Sequence, residues 1–202
     1  MPDDHEGGKM SAKGEERREA ILRAAMRVLT RDGGQGFRMR AIAAEAGVGI
    51  SHVQYYFKNI DAVMEGVMVR YLEDWDELML DAPASLAGAL DFVLETQLQH
   101  GGCALLWELW ALSSRNEAAD TALKTFYAGY TDRVCALLRR EAQTDAPDSV
   151  VRERAALIVA LIEGLSILRG NGREQTLAPQ AQRHAVDAAL ALAALPLPPA
   201  KT

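Results

Sequence analysis

A chain of 202 residues, 49% of them hydrophobic, is long enough for one large core or two small ones. Its net charge of -6 excludes wholesale coating of nucleic acid, and its two cysteines, Cys103 and Cys135, form no Cys-x-x-Cys pair, which fits a reducing cytoplasm. The apolar runs Ala155–Ile162 and Ala188–Ala200 are too short to cross a bilayer, and the N-terminus lacks a basic-then-apolar signal, so a soluble cytoplasmic protein with no membrane partner is expected.

Charge is unevenly placed. From Lys9 to Lys58, ten Lys/Arg stand against five Asp/Glu; from residue 61 onward, twelve stand against twenty. A basic first quarter on an acidic body is the pattern expected if one face meets phosphate.

Residues 1–14 are polar and glycine-rich and read as a disordered arm. Glu15 to Arg31 follows as a helix with Ile21, Ala25, Val28 and Leu29 inside and a favourable Glu19–Arg23 pair, ended by Asp32-Gly33-Gly34. Met39 to Ala46 is a short helix with an Ile42/Ala43/Ala46 stripe. Gly47 supplies the left-handed turn, and Ile50 to Phe57 is a second short helix with Val53 and Phe57 inward. This is helix-turn-helix logic, with the second helix short enough to enter a major groove. Ser51, His52, Gln54 and Tyr55 point mostly outward from it. Gln54 suits a bidentate contact to adenine and His52 suits a base edge. Ser51, Tyr55 and Tyr56 suit phosphate, while Gly49 and Ile50 allow close backbone approach. Arg38 and Arg40 open the preceding helix, and Lys58 closes the segment.

Asn59 caps the fourth helix, which carries Val63, Val67, Tyr71 and Trp75 and ends near Asp81-Ala82-Pro83. Ser85 caps a fifth helix through Gln99, broken by Gly101-Gly102. Cys103–Ser113 is a dense apolar sixth helix, Asn116 caps a seventh to Gln143, and Ser149–Arg169 is the most hydrophobic, ended by Gly170-Asn171-Gly172. Pro179 fits the first turn of a last helix to Leu195. The chain reads as all-α, with about nine helices in three parts: the arm, a helix-turn-helix domain at 15–60, and a larger helical domain at 61–202.

Ile42-Ala43, Ala46-Gly47-Val48, Tyr55-Tyr56-Phe57 and Asp61, preceded by Gly34-x-Gly36-Phe37, together resemble the DNA-binding domain of the TetR family of transcriptional regulators. The resemblance covers residues 17 to 69. It departs from the family at Arg38, where Thr or Ser usually caps the helix, at Gly49, usually serine, and at Ile60, usually a phosphate-binding lysine whose place Lys58 is expected to take. The resemblance implies a repressor that binds a palindromic, double-stranded operator as a homodimer and is released by a small-molecule effector, with no cofactor and no enzymatic activity.

It also implies a ligand pocket in the body, for which Tyr71, Trp75, Trp107, Trp110, Phe126, Tyr127 and Tyr130 are candidates. Their rings could cage a cationic ligand, with Glu108 as counter-charge. Leu106-Trp107-Glu108-Leu109-Trp110 is reminiscent of the choline-responsive branch of the family. The resemblance further implies a four-helix dimer interface from the last two helices, for which Ile158, Leu161, Ile162, Leu165, Leu168, Val186 and Leu190 are candidates. Such a dimer sets its recognition helices about 34 Å or more apart. The competing reading is a helical small-molecule-binding or interaction protein that has lost sequence-specific DNA binding. No catalytic constellation or metal-ligand spacing is present.

Overall fold

The computed structural model describes residues 11–99, 102–143, 145–169 and 177–196, without the side chains at 98, 99, 102 and 103. Among these residues there are nine helices and no strand: α1 (Ala12–Gly36), α2 (Met39–Glu45), α3 (Ile50–Tyr56), α4 (Ile60–Leu78), α5 (Leu86–Gln99), α6 (Gly102–Ser113), α7 (Glu117–Ala142), α8 (Asp148–Arg169) and α9 (Ala181–Ala194). The chain divides into two compact units, one up to Arg70 and one from Tyr71 onward, with α4 contributing residues to each.

The first unit is built on α1. Its inner stripe of Ile21, Leu22, Ala25, Val28 and Leu29 is fully or almost fully buried, as are Phe37, Ile42, Val53 and Phe57 and, from α4, Val63 and Val67. Gly66 lets α4 lie close: a Cβ there would stand 2.7 Å from Leu22 Cδ2 and 3.2 Å from Phe57 Cε1. Helix α1 starts earlier than its charge pattern indicates. The Ser11 hydroxyl accepts a hydrogen bond from the Gly14 amide at 3.2 Å, so Ser11 to Gly14 form a capped first turn and not the end of an arm. The remainder of the expected arm, residues 1–10, lies outside the described residues. At the other end, Gly33 takes φ 65° and ψ -174°, a kink between two helical stretches, where the sequence indicates a stop.

In the second unit, α5 packs against α6, α7, α8 and α9, and α8 lies between α7 and α9. Helix ends are tied to side chains from distant positions. Glu141 accepts from the Leu86 amide at 2.6 Å, at the start of α5. The Arg154 guanidinium donates to the carbonyls of Ala193, Leu195 and Pro196 at the end of α9, where a positive charge also complements the helix dipole. Pro179 lies before α9 and not in its first turn; Gln180 occupies the N-cap. The expected glycine stop after Arg169 falls outside the described residues, as does the Gly101 half of the break before α6.

Candidate functional site

The α2–turn–α3 segment sets its exposed side chains through its buried ones. Helix α2 ends in the amide bonds Gly47 to Ala44 (3.2 Å) and Val48 to Ala43 (3.0 Å), which close over the last turn. They require Gly47 at φ 64°, a conformation glycine reaches without a Cβ clash. With Val53 and Phe57 locked inward on α3, helical spacing turns Ile50, Ser51, His52, Gln54 and Tyr55 to solvent, and Tyr55 is 80% exposed. Tyr56 is partly buried, edge-on to Tyr55 at 5.0 Å. The backbone at Gly49 is extended, at φ -71°, and a Cβ there would meet nothing closer than 3.6 Å. The fold itself therefore does not demand glycine at this point on the exposed end of α3.

The cations of this unit fall into two sets. Arg27 and Arg31 each bind Glu45 at 2.7 Å, and Arg31 also binds Asp32 at 2.8 Å. Arg27, then Arg31, hold the Glu45 carboxyl below its ordinary range. These arginines are committed to joining α1 to α2. Arg40 and Lys58 are exposed, and no acid pairs with either among the described residues. Arg38 is the N-cap of α2 and makes no side-chain cap bond; its Nε donates instead to the Gln35 carbonyl at 3.1 Å. The missing cap is the local cost of arginine where a hydroxyl would accept.

Inside the second unit, six of the expected aromatic residues form one continuous cluster. Phe126 lies 5.0 Å from Trp75, 5.8 Å from Tyr71, 5.0 Å from Tyr127 and 6.1 Å from Tyr130, centroid to centroid. Trp110 extends the cluster, 5.8 Å from Tyr127. A polar relay runs through it. The half-exposed Trp110 donates Nε1–H to the Tyr127 hydroxyl at 2.9 Å, and that hydroxyl donates to Glu163 Oε2 at 3.0 Å. Gln97 Nε2 donates to Glu163 Oε1 at 3.3 Å, and the Ser166 hydroxyl stands between the Gln97 side-chain oxygen and the Ile162 carbonyl. Burial pushes the Glu163 carboxyl above its ordinary range in spite of the two hydrogen bonds that favour its charge.

Comparisons with known proteins identify the family. Residues 21–67, the segment from α1 into α4, match the family described as bacterial regulatory proteins, tetR family. A helix-turn-helix transcriptional regulator from the dhlA 5′ region of Xanthobacter autotrophicus, itself uncharacterised, is 30% identical over 171 residues, covering 80% of this chain and 81% of that protein. The chain belongs to the TetR family. Another relative is the nicotine-responsive transcriptional repressor HdnoR of Paenarthrobacter nicotinovorans, 24% identical over 75% of this chain and 82% of that one. Among solved structures, the multidrug-binding protein EbrR complexed with proflavin aligns with TM-score 0.60 at 27% identity, over 87% of this chain and 99% of that one. This protein is thus a TetR-family transcriptional regulator with an all-α fold.

The residues expected at a TetR dimer interface divide in two. Ile158, Ile162, Leu165 and Val186 are buried within the single chain and Leu190 is partly buried, whereas Leu161 and Leu168 remain exposed together with Leu157 and Ile167. Of the residues expected around a ligand, Trp107 and Glu108 are partly buried on α6. A carboxylate that meets Tyr127 is Glu163 of α8, which, like Gln97, is not among the expected ligand residues. A signal was available: Glu163 is the one charged residue between Arg154 and Arg169. An isolated acid in so apolar a helix is costly to bury without a partner.

Proposed function

We propose that this TetR-family regulator is a ligand-responsive repressor that binds a palindromic operator as a homodimer and is released by a small molecule held in the second unit. The reading is carried by α3, whose buried pair Val53 and Phe57 leaves His52, Gln54, Ser51 and Tyr55 on one solvent-facing surface. Gln54 and His52 read base edges. Arg40 and Lys58, with Ser51 and Tyr55, hold phosphates, and Gly49 and Ile50 admit the backbone of the duplex. Arg38, tied to the Gln35 carbonyl, contributes charge, and Tyr56 orients Tyr55.

The homodimer is supported by an exposed apolar face on α8. Leu157, Leu161 and Leu168 recur at helical spacing, and the space beside Gly164 is open to an approaching helix. Ligand response is supported by the relatives: HdnoR is nicotine-responsive and EbrR was solved with proflavin. Helix α4 offers the mechanical link. It lends Val67 to the core of the first unit and Tyr71 and Trp75 to the ring cluster. A ligand that presses on those rings shifts α4 and with it the separation of the two recognition helices. To do so it must bind the released state more tightly than the DNA-bound one.

The test is binding of purified protein to DNA flanking its own coding region, titrated across salt. Saturable, sequence-selective binding with a steep inverse salt dependence is expected. Binding equal to that on random DNA would favour the competing reading, a helical ligand-binding protein that no longer reads sequence.

A further inference from the structure

The polar centre of the second unit is unusual in what it lacks. Glu163 receives two neutral donors, Tyr127 and Gln97, and no cation pairs with it among the described residues. The cations of its own helix are engaged elsewhere: Arg152 by Asp132, Arg154 by the carbonyls at the end of α9, and buried Arg169 by the Leu94 carbonyl at 2.6 Å and by Gln182 at 2.8 Å. A second observation concerns Tyr130. Only 2% exposed, it keeps its hydroxyl buried with no hydrogen-bond partner among the described residues, within electrostatic reach of both Glu163 and Tyr127. A buried hydroxyl left unpaired costs stability, and so does a carboxylate withdrawn from water without a counter-charge. A cationic donor lodged beside both would supply the missing counter-charge and a partner for the hydroxyl oxygen.

We propose that Glu163 and Tyr130, walled by Trp75, Phe126 and Tyr127, form a binding site for a small organic amine that is protonated at neutral pH. This rests on reading the second unit as the sensing body and specifies its ligand class. An ammonium can donate one N–H to a Glu163 oxygen and another to the Tyr130 hydroxyl oxygen, which is left unused among the described residues. The ring cluster supplies aromatic surface for the charge and for the ligand framework. An anion is disfavoured by the carboxylate. A metal ion is disfavoured because no group of three or more His, Cys, Asp or Glu residues gathers among the described residues. The relay from Trp110 through Tyr127 ties the cluster to the surface, Trp110 being 53% exposed while Tyr130 is sealed.

The experiment titrates the full-length protein with benzylamine, phenethylamine and cyclohexylmethylamine, each beside the corresponding neutral alcohol. Tryptophan emission and calorimetry provide the readout. The amines are expected to saturate a site, with the alcohols weaker by about tenfold or more. Glu163→Gln keeps the side-chain shape and is expected to lower amine affinity about tenfold while leaving alcohol affinity unchanged; Tyr130→Phe is expected to lower it about threefold. Circular dichroism checks folding, and Tyr127→Phe, which removes a donor to Glu163 at the wall of the site, serves if Glu163→Gln does not fold.

Absence of saturation by every amine, equal affinity for the alcohols, or full amine affinity in Glu163→Gln overturns the proposal. Operator binding, measured on the same samples, separates the two readings. Amines that bind through Glu163 without displacing DNA uphold the site and sink the regulatory reading. Release of DNA by the neutral alcohols alone does the reverse.

Discussion

The two units handle polarity in opposite ways. In the first, every buried side chain among the described residues is apolar, and the groups with recognition chemistry are held outward by Val53 and Phe57. In the second, polar groups point inward: buried Ser166, Arg169 and Tyr130 and the partly buried Glu163 sit among rings and aliphatic side chains. An apolar core with an external reading face tolerates loss of any one surface residue but not of a core residue. A core with polar groups inside is less stable than it would otherwise be, and under the proposed sensing role what it gains is selectivity for a ligand that completes the network.

The contrast can be broken or sharpened by substitution. The largest effect is expected from Ile42→Ala, fully buried on the seven-residue α2, at a cost of about 2–4 kcal/mol. DNA binding should be lost. Tryptophan emission should persist, because all three tryptophans (Trp75, Trp107, Trp110) lie in the second unit. Emission lost in the same thermal step would mean the units do not respond separately.

Next comes Glu163→Gln in the ligand-free protein. Burial raises the Glu163 carboxyl in the folded chain, so its favourable contribution is full below its ordinary value of 4.5 and is lost as pH rises through the folded value. Of its neighbours there, Tyr130 is pushed further above its ordinary range by burial and stays uncharged in that window. The variant should therefore match the wild type at low pH and exceed it at neutral pH. A rise of a few degrees in Tm, as for about 1 kcal/mol in a chain of this length, is expected. A lower Tm at neutral pH would show that the carboxylate is a net stabiliser.

Gly47→Ala should cost about 1 kcal/mol in chemical denaturation, the strain of a Cβ at φ 64°. The smallest effect is on the DNA face. Arg40→Ala and Lys58→Ala should leave Tm unchanged and each lower the slope of log affinity against log salt by about 1.

How much of this was legible in the sequence follows the same division. Gly47, the inward pair Val53 and Phe57, and the caps Asn59 and Asn116 are local signals, and they place α2, α3, α7 and the start of α4 to within a residue or two, whereas α4 ends at Leu78, ahead of the expected Asp81-Ala82-Pro83. Both caps accept the amide bonds expected of them, at 2.9 Å. The inner site was only half legible. Six of the seven aromatic candidates that the family resemblance implied do cluster, but Glu163 and Gln97 lie 66 residues apart and meet only through the packing of α5 on α8. The residues expected at an interface show the same limit. Periodicity marks α8 as apolar on nearly every side, and only the packed chain reveals that Ile158 and Ile162 are consumed within it while Leu161 and Leu168 are not.

The division of labour between an outward reading face and an inward sensing site is tested most directly by one paired titration. A labelled duplex carrying the preferred flanking sequence, and a scrambled duplex, are titrated with wild type, Gln54→Ala and Glu163→Gln in the absence of any ligand. Gln54→Ala should lose discrimination between the duplexes, and Glu163→Gln should follow the wild-type curves on both. If Glu163→Gln weakens DNA binding as much as Gln54→Ala does, or if Gln54→Ala retains full discrimination, the two functions are not divided between the units in this way.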